Sequence, residues 1–270
     1  MVNTDILKRN HVKVTGKGKQ PILFAHGFGS SQVAWEQVVQ AFEEEYQVIL
    51  FDYVGSGNAD KSAYSSDRYR SLHGYAEDMI EVCKTLDLTD VIVVGHSVSG
   101  MISMLAAQKE PGLFSQLMML AASPRYLNDE GYIGGFDQEN INGMLDMMEK
   151  NFNEWAKYLA PAAAKNDDRP ELALNFEKQL LSNDQQIARE FAEATFLVDL
   201  RKELSHTEVP VVVMQPSDDN IVPHEAALYL ADEFPDSELV ILRATGHNPH
   251  ISHPEEVVKY IKKYIAIEAV

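Results

Sequence analysis

From residue 21 onward, short runs of the chain are apolar throughout: "PILFAH" (21–26), "VILFDY" (48–53), "VIVVGH" (91–96), "LMMLAA" (117–122), "VPVVVMQ" (209–215) and "ELVILR" (238–243). Runs of strand length that do not alternate apolar with polar are expected where helices cover both faces of a strand. "HVKV" (11–14) is a further strand candidate. Between these runs apolar positions recur at helical spacing, in "SQVAWEQVVQAFEEE" (31–45), in 71–87, 97–110 and 224–234, and in "PEEVVKYIKKYIAI" (254–267). Strand and helix in alternation predict an α/β fold with a doubly wound, mostly parallel sheet.

The alternation breaks once. Between about 125 and 204 no convincing strand occurs, only helix-rich stretches such as "DQENINGMLDMMEKNFNEWAKYLAP" and "ELALNFEKQLLSNDQQIAREFAEATFL". Pro161, "KNDDRP" and "SND" are expected to split them into separate helices. An all-helical insertion between two sheet strands reads as a lid, giving a core domain of residues 1–124 and 205–270 and a lid of 125–204. The aromatic residues Phe152, Trp155, Tyr158, Phe176, Phe191 and Phe196 are expected to form the lid's own core, with Trp155 and Phe196 turned toward a pocket.

Composition narrows the partners. With 45% hydrophobic and 24% charged residues among 270, the chain can build a sizeable core. Lys and Arg total 23 against 41 Asp and Glu, a net charge of −18. Such a chain is repelled by phosphate backbones and anionic lipid, so neither nucleic acid nor membrane is an expected partner. The one cysteine, Cys83, follows Met79 at i+4 on a helical pattern and reads as core. No intrachain disulfide is possible, the first residues lack an apolar signal region, and no apolar run approaches membrane-spanning length. A cytoplasmic location is expected.

Chemistry enters at "VIVVGHSVSGM" (91–101), where an apolar strand ends in a glycine and delivers Ser97. A sharp strand-to-helix turn there lifts the serine hydroxyl above the carboxyl ends of the strands, where parallel sheets bind ligands. Small neighbours, Gly95, Ser99 and Gly100, suit such a turn. The backbone N–H of Val98, at the new helix's start, points toward any oxyanion forming beside Ser97. A serine needs a base, and the base a carboxylate. "SDDNIVP" supplies Asp218 and Asp219 after one strand, and "GHNPH" supplies His247 after the last. "HGFGSS", after "PILFAH", gives a glycine-rich loop whose backbone can approach a ligand.

Together, "HGFG", "FDYVGSG", "GHSVSGM", "SDDNIVP" and "GHNPHISHP" resemble the α/β-hydrolase superfamily. More narrowly they resemble the RsbQ-like hydrolases, which join a bacterial stress-signalling regulator to the plant karrikin and strigolactone receptor hydrolases. The likeness extends through "ASPRYLNDEGYIGGF" at the entry to the insertion. It implies Ser97 as nucleophile, His247 as base and Asp219, rather than Asp218, as the orienting acid. It further implies the N–H groups of Phe28 and Val98 as an oxyanion hole, and a four-helix lid over an apolar pocket. One position departs from the general G-x-S-x-G pattern, which ends here in Ser99.

Weaker signals are set against that reading. His26 is expected to shape the loop after its strand, and His96 to line the pocket floor. "HNPHISH" spaces His247, His250 and His253 three apart, but Pro249 disfavours one continuous helix of metal ligands, so no metal is expected. "VGSG" lacks the third glycine and the immediate helix of a dinucleotide fingerprint. No cofactor is therefore expected. The resulting expectation is a serine hydrolase of small apolar ester or lactone-like substrates, working through an acyl-enzyme. The alternative is a ligand-sensing hydrolase that turns over slowly and acts through a signalling protein partner at the lid.

Overall fold

A computed structural model describes residues 4–268. Seven strands, β1 (Lys13–Thr15), β2 (Gln20–Ala25), β3 (Tyr46–Leu50), β4 (Val91–His96), β5 (Phe114–Leu120), β6 (Val211–Asp218) and β7 (Ser237–Thr245), form one sheet in the order β1-β3-β2-β4-β5-β6-β7. Only β1 runs antiparallel to its neighbour. Central β4 is buried along its whole length, as its unbroken apolar run requires. Alternate residues feed two cores on opposite faces: Leu23, Val93, Leu117 and Val213 on one, Ile22, Phe24, Val94 and Met118 on the other.

The helices are α1 (Thr4–Arg9), α2 (Glu36–Val39), α3 (Ser66–Tyr69), α4 (Leu72–Thr85), α5 (Val98–Lys109), α6 (Gln138–Lys150), α7 (Phe152–Ala164), α8 (Pro170–Ser182), α9 (Gln185–Phe196), α10 (His224–Glu233), α11 (Pro249–Ser252) and α12 (Pro254–Glu268). Met79 and Cys83 lie buried on α4, and burial pushes the Cys83 thiol up to about 12. The insertion between β5 and β6 holds α6 to α9 and no sheet strand. Arg125 and Asp199 pair across its two ends.

Three expectations need correcting. The stretch 31–45 is not one helix: a 3-10 turn, Gln32–Trp35, leads into α2, and turns follow. Asp52 Oδ1 captures the Gln32 N–H, and the carbonyls of Glu43 and Tyr46 accept from Lys17 and Gly18, so the backbone is spent on neighbours instead of a ladder. Pro161 does not end a helix but sits inside α7, and the break falls at Asn151. The carbonyl that Pro161 leaves without a donor belongs to Lys157 on the exposed face, open to solvent. Strand β7, at the sheet edge, is covered on one face only: Val240, Leu242 and Ala244 are buried while Ile241 and Arg243 are exposed.

Among the described residues no helix is long and apolar enough to cross a membrane.

Candidate active site

The turn from β4 into α5 forces Ser97 to φ 56°, ψ −123°, outside the regions an L-residue prefers. The surroundings hold it there. Ser97 N–H donates to Leu120 O at 2.8 Å, and Gly100 N–H to Ser97 O at 2.9 Å. Gly95 is obligatory, because a Cβ there would stand 2.7 Å from the Ser99 carbonyl oxygen. Strain of this kind collects where a side chain must be presented.

Ser97 Oγ donates to His247 Nε2 at 2.8 Å, and His247 Nδ1 donates to Asp219 Oδ2 at 2.8 Å. The other Asp219 oxygen accepts from the N–H groups of Ile221 at 2.8 Å and Val222 at 3.2 Å. The carboxylate is thus fully buried and fully bonded, which fixes the imidazole tautomer with Nε2 free to accept. Asp218 is turned away, its side chain 56% exposed and paired with Lys165. The two neighbouring carboxylates, which residue types alone leave open, are separated by geometry.

Two backbone donors of the neighbouring segments are unspent. The N–H groups of Phe28 and of Val98, the first residue of α5, find no acceptor among the described residues. The loop carrying Phe28 is pinned from below. His26 Nδ1 donates to Gly27 O at 2.9 Å, and its Nε2 accepts from Tyr53 N–H at 3.2 Å. Burial lowers the pKa of His26, keeping it neutral in this role. Ser99 also holds the loop, its hydroxyl donating to His26 O at 2.5 Å and accepting from Tyr53 OH at 2.8 Å. The departure from G-x-S-x-G is therefore accommodated by two hydrogen bonds that a glycine lacks.

His96 Nε2 donates to the backbone carbonyl of His247 at 2.7 Å. Its ring also packs against that of His250, at a centroid distance of 4.3 Å, which in turn lies on Trp35 at 4.4 Å. His250 is buried and His253 bonds Ser252 Oγ, so "HNPHISH" does not gather its imidazoles around one point. Among the described residues no cluster of three metal-ligating side chains occurs.

A cavity of about 20 Å³ opens beside Ser97, room for about one water molecule. The core contributes Phe28, His96, His247 and Asn248 to its wall, and the insertion contributes Leu159, Phe176, Thr195 and Phe196. Trp155 does not reach it. Its ring stacks on Phe152 at 5.0 Å and meets Phe28 edge-on at 6.1 Å, behind the cavity wall. Tyr158, expected in the insertion's core, is 71% exposed.

Residues that sequence reasoning passed over complete the site. Tyr126, on the loop after β5, places its hydroxyl 3.2 Å from Ser97 Oγ. Since the Ser97 proton is directed at His247, Tyr126 is the donor, and burial raises its phenol far enough to keep that proton. The only available hint was its place just beyond a strand's carboxyl end. Thr195 lines the cavity, and its buried Oγ1 has no hydrogen-bond partner among the described residues.

The insertion also reaches the loops that carry His247 and Asp219. His247 N–H donates to Ala163 O at 2.8 Å, and Asn166 Nδ2 to Thr245 O at 3.0 Å. Asn220 Nδ2 donates to Ala162 O at 3.2 Å, and Arg169 to Ser252 O at 2.7 Å.

The sequence matches the family described as alpha/beta hydrolase fold over residues 20–254. It is 34% identical to a karrikin insensitive 2 receptor of Petunia hybrida over 95% of this chain and 95% of that one. It is 37% identical to a strigolactone esterase of Pisum sativum, covering 94% of this chain and 95% of that one. Among solved structures, a hydrolase from Oleispira antarctica superposes with a TM-score of 0.95 at 34% identity, over 97% of both chains. Matched by the family model over most of its length and by these relatives almost end to end, this chain belongs to the α/β-hydrolase family.

Proposed function

We propose that this protein hydrolyses small carboxylic esters or lactones through an acyl-enzyme on Ser97. The observation that carries the reading is the unbroken relay from Ser97 Oγ through His247 to buried Asp219, with both links at 2.8 Å. His247 takes the serine proton as Oγ attacks the carbonyl carbon. The tetrahedral oxyanion is held by the N–H groups of Phe28 and Val98, a reading supported by the absence of any other acceptor for them among the described residues. His247 then protonates the leaving alcohol, and water, activated by the same imidazole, releases the acid. Asp219 stays ionised and holds the ring. Tyr126 steadies Ser97 Oγ in its attacking position. No step calls for a metal or cofactor.

The largely apolar wall around Ser97, from Phe28, Leu159, Phe176 and Phe196, favours small apolar esters over long-chain ones. The insertion acts as a lid, and the site works inside the cell. Steady-state and burst kinetics on aryl and alkyl esters test the reading. Hydrolysis that falls from acetyl to octanoyl esters is the expected result. Absence of turnover on every small ester and lactone would overturn it.

A second reading is favoured by the relatives' names, one a receptor and one a strigolactone esterase. In it the same chemistry runs slowly and reports a ligand to a signalling protein that docks on the lid. The same kinetics separate the two: a kcat near or above ~10 s⁻¹ is ordinary enzyme behaviour, whereas a single turnover leaving a lasting modification on His247 or Ser97 is that of a sensor.

A further inference from the structure

Next to the catalytic cavity lies a second one, of about 10 Å³, walled by Ala164, Leu172, Phe176, Asn248, Ile251 and Ser252. Two residues, Phe176 and Asn248, line both cavities. Phe176 stands on α8 and is 6% exposed, while Leu172 precedes it by one helical turn. Voids in a well-packed protein are few, and two that share an aromatic wall would join if that side chain were removed or turned to another rotamer.

The position of the second cavity says which part of a substrate it takes. Asn248 directly follows His247, Ile251 and Ser252 belong to α11 just beyond it, and Ala164 adjoins the residue whose carbonyl holds His247 N–H. The cavity therefore lies on the imidazole's side of Ser97. In acyl transfer the imidazole must reach the leaving oxygen to protonate it, so the alcohol portion of the ester lies on that side and the acyl portion does not. Apart from the Asn248 amide and the Ser252 hydroxyl, its wall is apolar.

From the shared wall we infer that Phe176 is a specificity-determining residue, a partition that sets the length of the alcohol arm, and that the space beyond it is the distal part of an alkyl-alcohol subsite. The inference rests on the ester-hydrolase reading above. With the ring in place, the arm is limited to a short alkoxy group such as methoxy or ethoxy. With the ring gone or turned aside, an unbranched alkyl chain runs past Asn248 toward Leu172 and Ile251.

The test compares two substrate series on wild type, Phe176→Ala and the gentler Phe176→Leu: acetate esters from methyl to octyl, and 4-nitrophenyl esters from acetyl to octanoyl. In the variants, kcat/KM should rise by about fourfold for each alkoxy methylene admitted, through butyl or hexyl, while wild type levels off near ethyl. The acyl series should keep its order in all three proteins. Adding Leu172→Phe to either variant refills the space and should cancel the gain. Linear 1-alkanols read the same space without turnover: butanol to octanol should raise the Tm of the variants progressively and leave wild type flat. Identical alkoxy profiles in wild type and both variants, or a gain confined to the acyl series, would overturn the inference. Esters inert throughout, with the alkanol pattern intact, would sink the hydrolase reading and leave the subsite standing.

Discussion

Where the helical insertion covers the Phe28 side chain its contacts are aromatic, with hydrogen bonds from Ser30 to Gln179 and from Asn183 to Gly29 only beside it, and where it reaches the loops of His247 and Asp219 they are polar. Phe28 meets Trp155, Phe191 and Phe196 edge-on, at centroid distances of 6.1, 5.6 and 5.8 Å. Some distance along α7, the carbonyl of Ala163, the side chain of Asn166 and the ammonium of Lys165 instead make directed bonds to His247, Thr245 and Asp218. Edge-on rings attract across a range of offsets, so that face tolerates small displacements. Hydrogen bonds weaken steeply with angle, so the polar face fixes where the His247 loop stands. The aromatic contacts shape a pocket, and the polar ones position His247.

Breaking the chemistry without touching either face gives the largest effect. Ser97→Ala should lower kcat for ester hydrolysis by about 10⁶ and leave Tm and ligand binding near wild type, since what it removes is the hydroxyl's two hydrogen bonds, to His247 and from Tyr126. Next come the two adjacent carboxylates. Asp219→Asn should cost about 10⁴ in kcat by letting the imidazole take the wrong tautomer, while Asp218→Asn, which removes only an exposed partner of Lys165, should stay within a few-fold. Equal losses in the two would show that the polar face and the triad are one unit.

The polar and aromatic faces can then be broken separately. The double variant Lys165→Ala, Asn166→Ala frees the His247 loop, and displacement of a catalytic group by about 1 Å costs on the order of 10² in rate. We expect a kcat loss of about tenfold to a hundredfold with KM little changed. Phe196→Leu, on the aromatic face, should do the reverse: KM and chain-length preference shift, kcat stays within a few-fold, and stability falls by about 1 kcal/mol.

The smallest effect in activity is a pH effect on stability, seated beneath the His247 loop. Burial lowers His250 to about 3 and depresses His26 and His96 from 6.5. As the pH falls below 6.5 the unfolded chain binds protons that the folded chain refuses. Stability held above pH 6.5 is therefore lost progressively toward pH 3. Between pH 7 and 5 His250 contributes a loss of about 2 kcal/mol, and His26 and His96 add to it in the same direction. Urea unfolding at the two pH values measures it, and His250→Phe, which keeps the stacking on Trp35, should remove one histidine's share of the slope.

The same comparison explains what could be read from sequence. The sheet was legible because its strands are covered on both faces and need no polar alternation; only edge strand β7 misled, its sequence apolar but its outer face exposed. Ser97 and His247 were legible because strained turns and strand ends restrict residue type. Asp219 was not separable from Asp218 on residue type, since one residue's shift in a loop decides which carboxylate turns inward. Trp155 and Phe196 look alike in a helical pattern, yet only Phe196 lines the cavity, because an aromatic cluster does not reveal from its spacing which ring is innermost. The polar clasp around Asn166 and Lys165 sits in "KNDDRP", a stretch whose composition says loop and nothing more. Its partners lie more than fifty residues away.

Trapping the intermediate on the enzyme tests the central role of Ser97 most directly. Wild-type protein quenched with acid during turnover of 4-nitrophenyl acetate is digested and its peptides weighed by mass spectrometry. The expected result is one acetyl group, carried by the peptide containing Ser97, growing in with the burst of nitrophenol and absent from Ser97→Ala. Acetylation of another residue that matches the burst, or a full burst in Ser97→Ala, would contradict it.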